Sequence, residues 1–327
     1  MVIKKFMTSV DRVLETVEFG GPDRIPLAKG KDADIAYLYF NKAGNFHPVA
    51  PEMDEWGCVW NSLNKNADDQ GQVTEHPLAE WDAAIDNYTF PDPFAPGRLD
   101  HATAEITQLR NQKKFICACL NKGPMHLLDD LRGFENFLMD LALNPERIEF
   151  LLDGIFYFLT EMIRQFADLK VDGVFMSDDQ AMQSGPYFSM DLWRKHLKPR
   201  YQELFSLAHS NNCKVFMHTC GNLSQHLEEL VAVGVDIIDN KQPALWMDCP
   251  AVDAVRGKVT FSTCLDIQNV IGTIELKQIP DEVSHLIRKL SVPEGGFIGT
   301  YYHQPDLHIM PEKNARMLEA FRSFTWD

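Results

Sequence analysis

No stretch of the sequence approaches the roughly 20 apolar residues of a membrane span, and Met1 to Asp11 lacks an apolar core followed by a small-residue cleavage site. Neither a membrane-spanning protein nor a secretory leader is expected. Positive charge is scarce: 31 Lys and Arg stand against 47 Asp and Glu, a formal net charge of −16. That excess excludes nucleic acid and an anionic membrane surface as expected partners, and it disfavours a polyanionic substrate unless arginines are concentrated locally. A disulfide framework is missing. The seven cysteines (Cys58, Cys117, Cys119, Cys213, Cys220, Cys249, Cys264) are odd in number, scattered and mostly inside apolar runs, which fits free thiols in a reducing compartment. No Gly-x-Gly-x-x-Gly follows any strand, so a dinucleotide fingerprint is absent. The expectation is a soluble, cytoplasmic protein.

What is present is a core. Hydrophobic residues make up 45% of 327 positions, enough for two ordinary domains or one large α/β barrel. Residues 5–18 have a helical period that stops at Gly20-Gly21-Pro22, and Arg24 to Ala28 reads as a short extended segment. From about 40 to 100 the pattern is irregular and rich in Pro, Asp, Asn and aromatics, a loop-rich insertion of the kind that serves as lid or binding element. Short apolar runs then alternate with helical patterns: strands at 113–120, 171–177, 214–218, 235–238, 258–262 and 296–300, helices over 125–168 (split at Asn144-Pro145), 189–210, 224–233, 280–290 and 311–324. Such repetition predicts a parallel sheet covered by helices, and this many units favour a closed (β/α)8 TIM barrel over an open sheet. Seven strands are plain and the eighth is not. The chain is read as one domain over 1–327.

In barrels chemistry sits at the C-terminal ends of the strands. The run Lys214 to Met217 ends in His218-Thr219-Cys220-Gly221-Asn222. Residues two apart share a strand face, so His218 and Cys220 point the same way, and imidazole and thiolate suit a borderline-soft metal such as zinc. By itself such a pair is more often a core histidine beside a small buried thiol. Its company changes the weight: Asp178 and Asp179, Cys264 and Asp266, and Tyr302 and His303 all fall on the same predicted rim. Asp179 is a candidate acid or substrate-orienting group if burial raises its pKa, with Asp178 beside it, although paired aspartates at a strand end also serve as caps. Asn222, Gln242, Asp266 and Gln268 are candidates for hydrogen bonds to substrate or metal shell. His209 and His226 lie in helical patterns and are set aside as surface or packing residues.

The segments Pro22-Asp23-Arg24-Ile25-Pro26, Asp54-Glu55-Trp56-Gly57, Ser177-Asp178-Asp179, His218 to Asn222, Leu265-Asp266-Ile267-Gln268 and Pro311-Glu312-Lys313-Asn314 resemble, in that order, the uroporphyrinogen decarboxylase superfamily, specifically its corrinoid-dependent methyltransferase branch. The resemblance implies a (β/α)8 barrel. The decarboxylases of that superfamily hold their substrate with an arginine-rich segment after the first strand. Here the position reads Leu27 to Asp34 without arginine, so a polyanionic porphyrinogen would meet repulsion. The methyltransferase branch implies Zn2+ on the His-x-Cys pair, a corrinoid (cobalamin) carried by a separate partner protein, and a small methyl donor or acceptor, either an aromatic methyl ether (an O-demethylase) or a thiol. Aromatics at Trp56, Trp60, Trp81, Tyr88, Phe90, Tyr187, Phe188, Tyr301 and Tyr302 suit a flat ether and equally fill cores. The usual third ligand is a cysteine near the C-terminus. That stretch here carries His303 instead, so His303 completes the site, or Cys264 does, or no zinc binds; His303 is favoured, because relatives tend to carry glycine at the position of Cys264. A cofactor-free decarboxylase and a non-catalytic module docking a corrinoid protein are the alternatives, and the reading leaves room for a homodimer.

Overall fold

A computed structural model of the chain describes residues 6–61, 71–302 and 309–326. In chain order the elements are α1 (Ser9–Val17), β1 (Ile35–Tyr39), the hairpin β2 (Val59–Asn61) and β3 (Gln72–Glu75), α2 (Trp81–Ala84), α3 (Ala102–Asn111), β4 (Phe115–Lys122), α4 (Pro124–Arg132), α5 (Phe134–Leu143) and α6 (Pro145–Asp168). They continue with β5 (Gly173–Ser177), a second hairpin β6 (Ala181–Met182) and β7 (Gly185–Pro186), α7 (Met190–His196), α8 (Lys198–Ser210), β8 (Lys214–His218), α9 (Leu227–Ala232) and β9 (Ile237–Asp239). The last are α10 (Pro250–Val255), β10 (Thr260–Thr263), α11 (Ile279–Leu290), β11 (Phe297–Gly299) and α12 (Pro311–Ser323). No helix among the described residues is long and apolar enough to cross a membrane.

Seven strands form one parallel sheet in the order β1-β4-β5-β8-β9-β10-β11. It curls: Leu27 makes a parallel bridge to Gly299 of β11, and the Leu27 carbonyl accepts from the Asp34 amide beside β1. This is a TIM-barrel-like α/β fold. The strand at β1 is the one that periodicity does not reveal; the predicted extended segment around residues 24–28 contributes only a bridge.

Alternation along the strands sorts their side chains by face. One set packs under the outer helices in a large apolar core. The opposite face holds a smaller cluster, Ile35, Phe115, Cys117, Phe216, Ile237 and Ile298, into which α1 inserts Val13 and Val17. Phe175 lies edge-on to both Tyr37 and Phe216 at this level, with ring centroids 5.5 and 5.1 Å apart. Two residues further along β5, β8 and β9 the same face turns polar. Ser177, His218, Asp239 and Ser262 are successive register partners across β5, β8, β9 and β10.

Two predicted helical stretches are divided. Within 125–143, Gly133 adopts φ 78° between α4 and α5. Within 189–210, the helix breaks at Leu197 because Pro199, at the start of α8, has no amide to donate and its ring opposes a continuous turn.

His226 is a packing residue, 1% exposed, edge-on to Trp193 at 5.9 Å between ring centroids. Its Nδ1 has no hydrogen-bond partner among the described residues, and burial pushes its imidazole down to about 4. An unfolded imidazole titrates near about 6.5, so between those values the unfolded chain binds a proton that the folded chain refuses. This contribution is therefore complete above about pH 6.5 and falls by about 3 kcal/mol as pH drops toward 4. His226→Phe is expected to remove this part of the acid lability. Urea midpoints of both proteins at neutral and acid pH check it; an unchanged difference between the two pH values would refute it.

Candidate functional site

Asp179, His218 and Cys220 meet where β5 and β8 end, one ligand atom of each within 4.8 Å of the others. His218 Nε2 lies 3.3 Å from Cys220 Sγ and 3.9 Å from Asp179 Oδ1. Zinc bonds of about 2.0–2.3 Å imply tetrahedral edges of about 3.3–3.6 Å, and these two separations are near that range. His218 Nδ1 donates to Asp239 Oδ2 at 2.6 Å, so the Nε2 lone pair is the one turned toward Cys220 and Asp179. A histidine that gives its second nitrogen to a carboxylate is oriented as metal-binding histidines are. The donor set of imidazole, thiol and carboxylate therefore fits a zinc ion.

The electrostatics agree. Burial opposes ionisation of Asp179, but the hydrogen bond and charge of His126, the neighbouring His218 and the Cys220 amide outweigh it and hold the carboxyl at about 2. Asp179 is thus a carboxylate rather than an acid. Burial and the adjacent Asp179 push the Cys220 thiol well above its ordinary value, so the thiolate needs a cation to form. His126, which sequence reasoning passed over, has Nδ1 3.0 Å from the Ser177 carbonyl and Nε2 3.4 Å from Asp179 Oδ2. Both nitrogens face acceptors. Burial lowers its pKa, yet Asp179, Asp178 and Asp130 together raise it to about 9.

The turn after β8 is built around one glycine. Gly221 has φ +82°, and a Cβ there would lie 2.1 Å from the Ala181 carbonyl oxygen. Its amide donates to Gln242 Oε1 at 2.8 Å.

Asp178 takes the capping role. It is 0% exposed; Oδ1 accepts from the Met125 and His126 amides at 2.8 and 3.2 Å, bracing the start of α4, and Oδ2 accepts from Tyr201 and from Gln180 Nε2. Burial pushes it up to about 6. Asn222 caps its own turn through the Ser224 amide at 3.1 Å. Asp266, 1% exposed, accepts from the Ala244, Gln268 and Asn269 amides. Gln268 pairs with Gln183 at 2.7 Å. The Tyr302 carbonyl accepts from Asn314. His303 lies outside the described residues. Cys264 is fully buried, its thiol pushed up to about 12 by burial first, and it is not part of the cluster. A strand-end rule would have found Asp239, the last residue of β9, had polarity rather than a motif been followed.

Beside the cluster lies a cavity of about 830 Å³, under residues 39–60 and over the ends of β1, β4 and β5. His126, which reaches Asp179, and Ser177, the register partner of His218, line it, while Asp179, His218 and Cys220 do not. Tyr39, Phe40, Trp56 and Trp60 contribute aromatic wall, and Lys122 Nζ stands 3.7 Å above the Trp60 ring centroid.

Among solved structures, a methyltransferase from Methanosarcina mazei superposes with a TM-score of 0.71 at 16% identity, covering 97% of this chain and 98% of that chain. A D-psicose 3-epimerase solved in the presence of D-fructose gives 0.44 at 10% identity, covering 68% and 81%. A family 10 endo-β-1,4-xylanase from Gloeophyllum trabeum gives 0.41 at 10% identity, covering 68% and 81%. No curated protein matches the chain. The family model described as uroporphyrinogen decarboxylase (URO-D) matches residues 35–324, and the chain belongs to that family.

Proposed function

We propose that this protein is a zinc-dependent methyltransferase that moves a methyl group between a small substrate, an aromatic methyl ether or a thiol, and the corrinoid of a partner protein. The observation that carries the reading is the imidazole, thiol and carboxylate set at the strand ends, with His218 turned by Asp239. His218, Cys220 and Asp179 would hold the ion, with Asp179 filling the place that the sequence assigned to His303. Bound zinc would supply a Lewis acid for the oxygen or sulfur that exchanges the methyl group.

The chain's own residues do the rest. Asp179 stays ionised and accepts the Cys220 amide at 2.7 Å, which fixes its carboxylate against the turn. His126 keeps a proton at Nε2 on the border between cluster and cavity, where it can serve an atom that gains negative charge. The aromatic wall offers a stacking face to a flat substrate. The barrel closes, on this reading, through the bridge at Leu27, with residues 40–61 and 71–100 contributing the lid.

Metal analysis of the purified protein, followed by methyl transfer from a panel of aromatic methyl ethers to cob(I)alamin and from methylcob(III)alamin to a panel of thiols, tests the function. One zinc per chain and turnover of at least one class are expected. A metal-free protein that turns over uroporphyrinogen would instead establish the decarboxylase.

A further inference from the structure

Ser177, His218, Asp239 and Ser262 form one register row across four neighbouring strands. In a parallel sheet, partners in one row project to the same side, so the row aims its polar side chains at one another. Asp239 is its centre. Oδ2 accepts from His218 Nδ1 at 2.6 Å, while Oδ1 accepts from Lys241 Nζ at 2.5 Å and from Ser262 Oγ at 2.7 Å. The side chains of Asp239 and Lys241 are 8% and 4% exposed, and Ser262 is 0% exposed. A buried ion pair is a poor source of stability, because removing two charges from water costs about as much as their attraction returns. It does hold geometry well. With both oxygens occupied, the carboxylate cannot rotate away from His218, nor swing round to become a ligand itself.

We propose that Asp239, locked by Lys241 and Ser262, is the positioning residue of the metal ligand His218, and that Lys241 acts on the metal only through it. The inference rests on the metal reading of the cluster. Its unit is three residues from β9, the loop after it and β10, brought to a histidine on β8.

The test compares the parent protein with Asp239→Asn/Lys241→Met, which removes the charge pair together and leaves neither partner buried as a lone ion. Zinc affinity is read by competition with a chromophoric chelator, and folding by the thermal melt of the metal-free proteins. The double variant is expected to melt as a folded protein and to bind zinc 10- to 100-fold more weakly. Asp239→Asn alone, isosteric with the parent but leaving Lys241 without its carboxylate, is expected to melt lower and to show the same loss of affinity, and it supplies the answer should the methionine be what keeps the double variant from folding. Zinc affinity equal to the parent's in either folded variant overturns the positioning role while leaving the metal site standing. A parent protein that takes up no zinc, or takes it up as well after Cys220→Ser, overturns the metal reading and the positioning role with it.

Discussion

Replacing Cys220 with serine, or His218 with alanine, is expected to empty the metal centre and to lower methyl transfer by about 10³-fold. Each change removes one of three donors whose atoms lie within 4.8 Å of one another. A serine hydroxyl does not ionise at neutral pH, and alanine offers nothing. The remaining pair could not hold an ion in a half-buried setting, where only deprotonated ligands offset lost hydration. The rate estimate follows from the role of the ion: a Lewis acid contributes several kcal/mol of charge stabilisation, and about 1.4 kcal/mol is a factor of ten. Metal content per chain and single-turnover transfer give the two readouts. Full metal content in both variants would remove these residues from the centre and leave the proposed chemistry without a site.

A second large effect is expected from Gly221→Ala, which changes no donor atom. The new methyl would sit 2.1 Å from the Ala181 carbonyl oxygen and 2.7 Å from that of Met182, on a residue whose φ of +82° already disfavours a side chain. Both obstacles are backbone, so they cannot simply rotate aside. The β6–β7 hairpin must retreat, and the Asn222 amide loses its 2.9 Å bond to the Met182 carbonyl. Strain of about 1–3 kcal/mol at such a backbone position and about 1–3 kcal/mol for overpacking sum to roughly 2–6 kcal/mol. The urea midpoint should fall accordingly, and zinc affinity with it, because Cys220 is the adjacent residue. A loss below about 1 kcal/mol would show that the turn accommodates a side chain.

Local chemistry explains why much of this was readable. Apolar runs ending in polar clusters marked β5, β8, β9 and β10, and each lies within a few residues of its predicted place. The pairing of His218 with Cys220 needed only the two-residue period of a strand and a glycine to turn the chain. The strand β1 escaped because Ile35 to Tyr39 is short and flanked by Asp34 and a loop-rich stretch, so its pairing with β4 rather than its composition makes it a strand. The Pro199 break and the left-handed Gly133 were visible as residues, but a helical period running across them masked their effect.

His126, Asp239 and Lys241 escaped for a different reason. His126 belongs to α4, Asp239 ends β9 and Lys241 follows it, and none carries a motif linking it to His218. Asp178 and Asp179 are adjacent in sequence yet divide their work, one fully buried as a brace for α4 and the other turned to the cluster. Which faces which way depends on Gly123, where a Cβ would lie 2.3 Å from the Asp178 carboxyl carbon.

From the sequence alone came the alternating βα order and the placing of the His218-x-Cys220 pair at the end of a strand, since each is set by residues a few positions apart. Among the described residues, tertiary structure alone brought Asp179 to that pair and set Asp239 against His218 Nδ1. Those partners stand 39 and 21 positions from His218, and strand register, which the packing of the whole sheet determines, is what brings residues so far apart in the chain to within a hydrogen bond or a metal ion of each other.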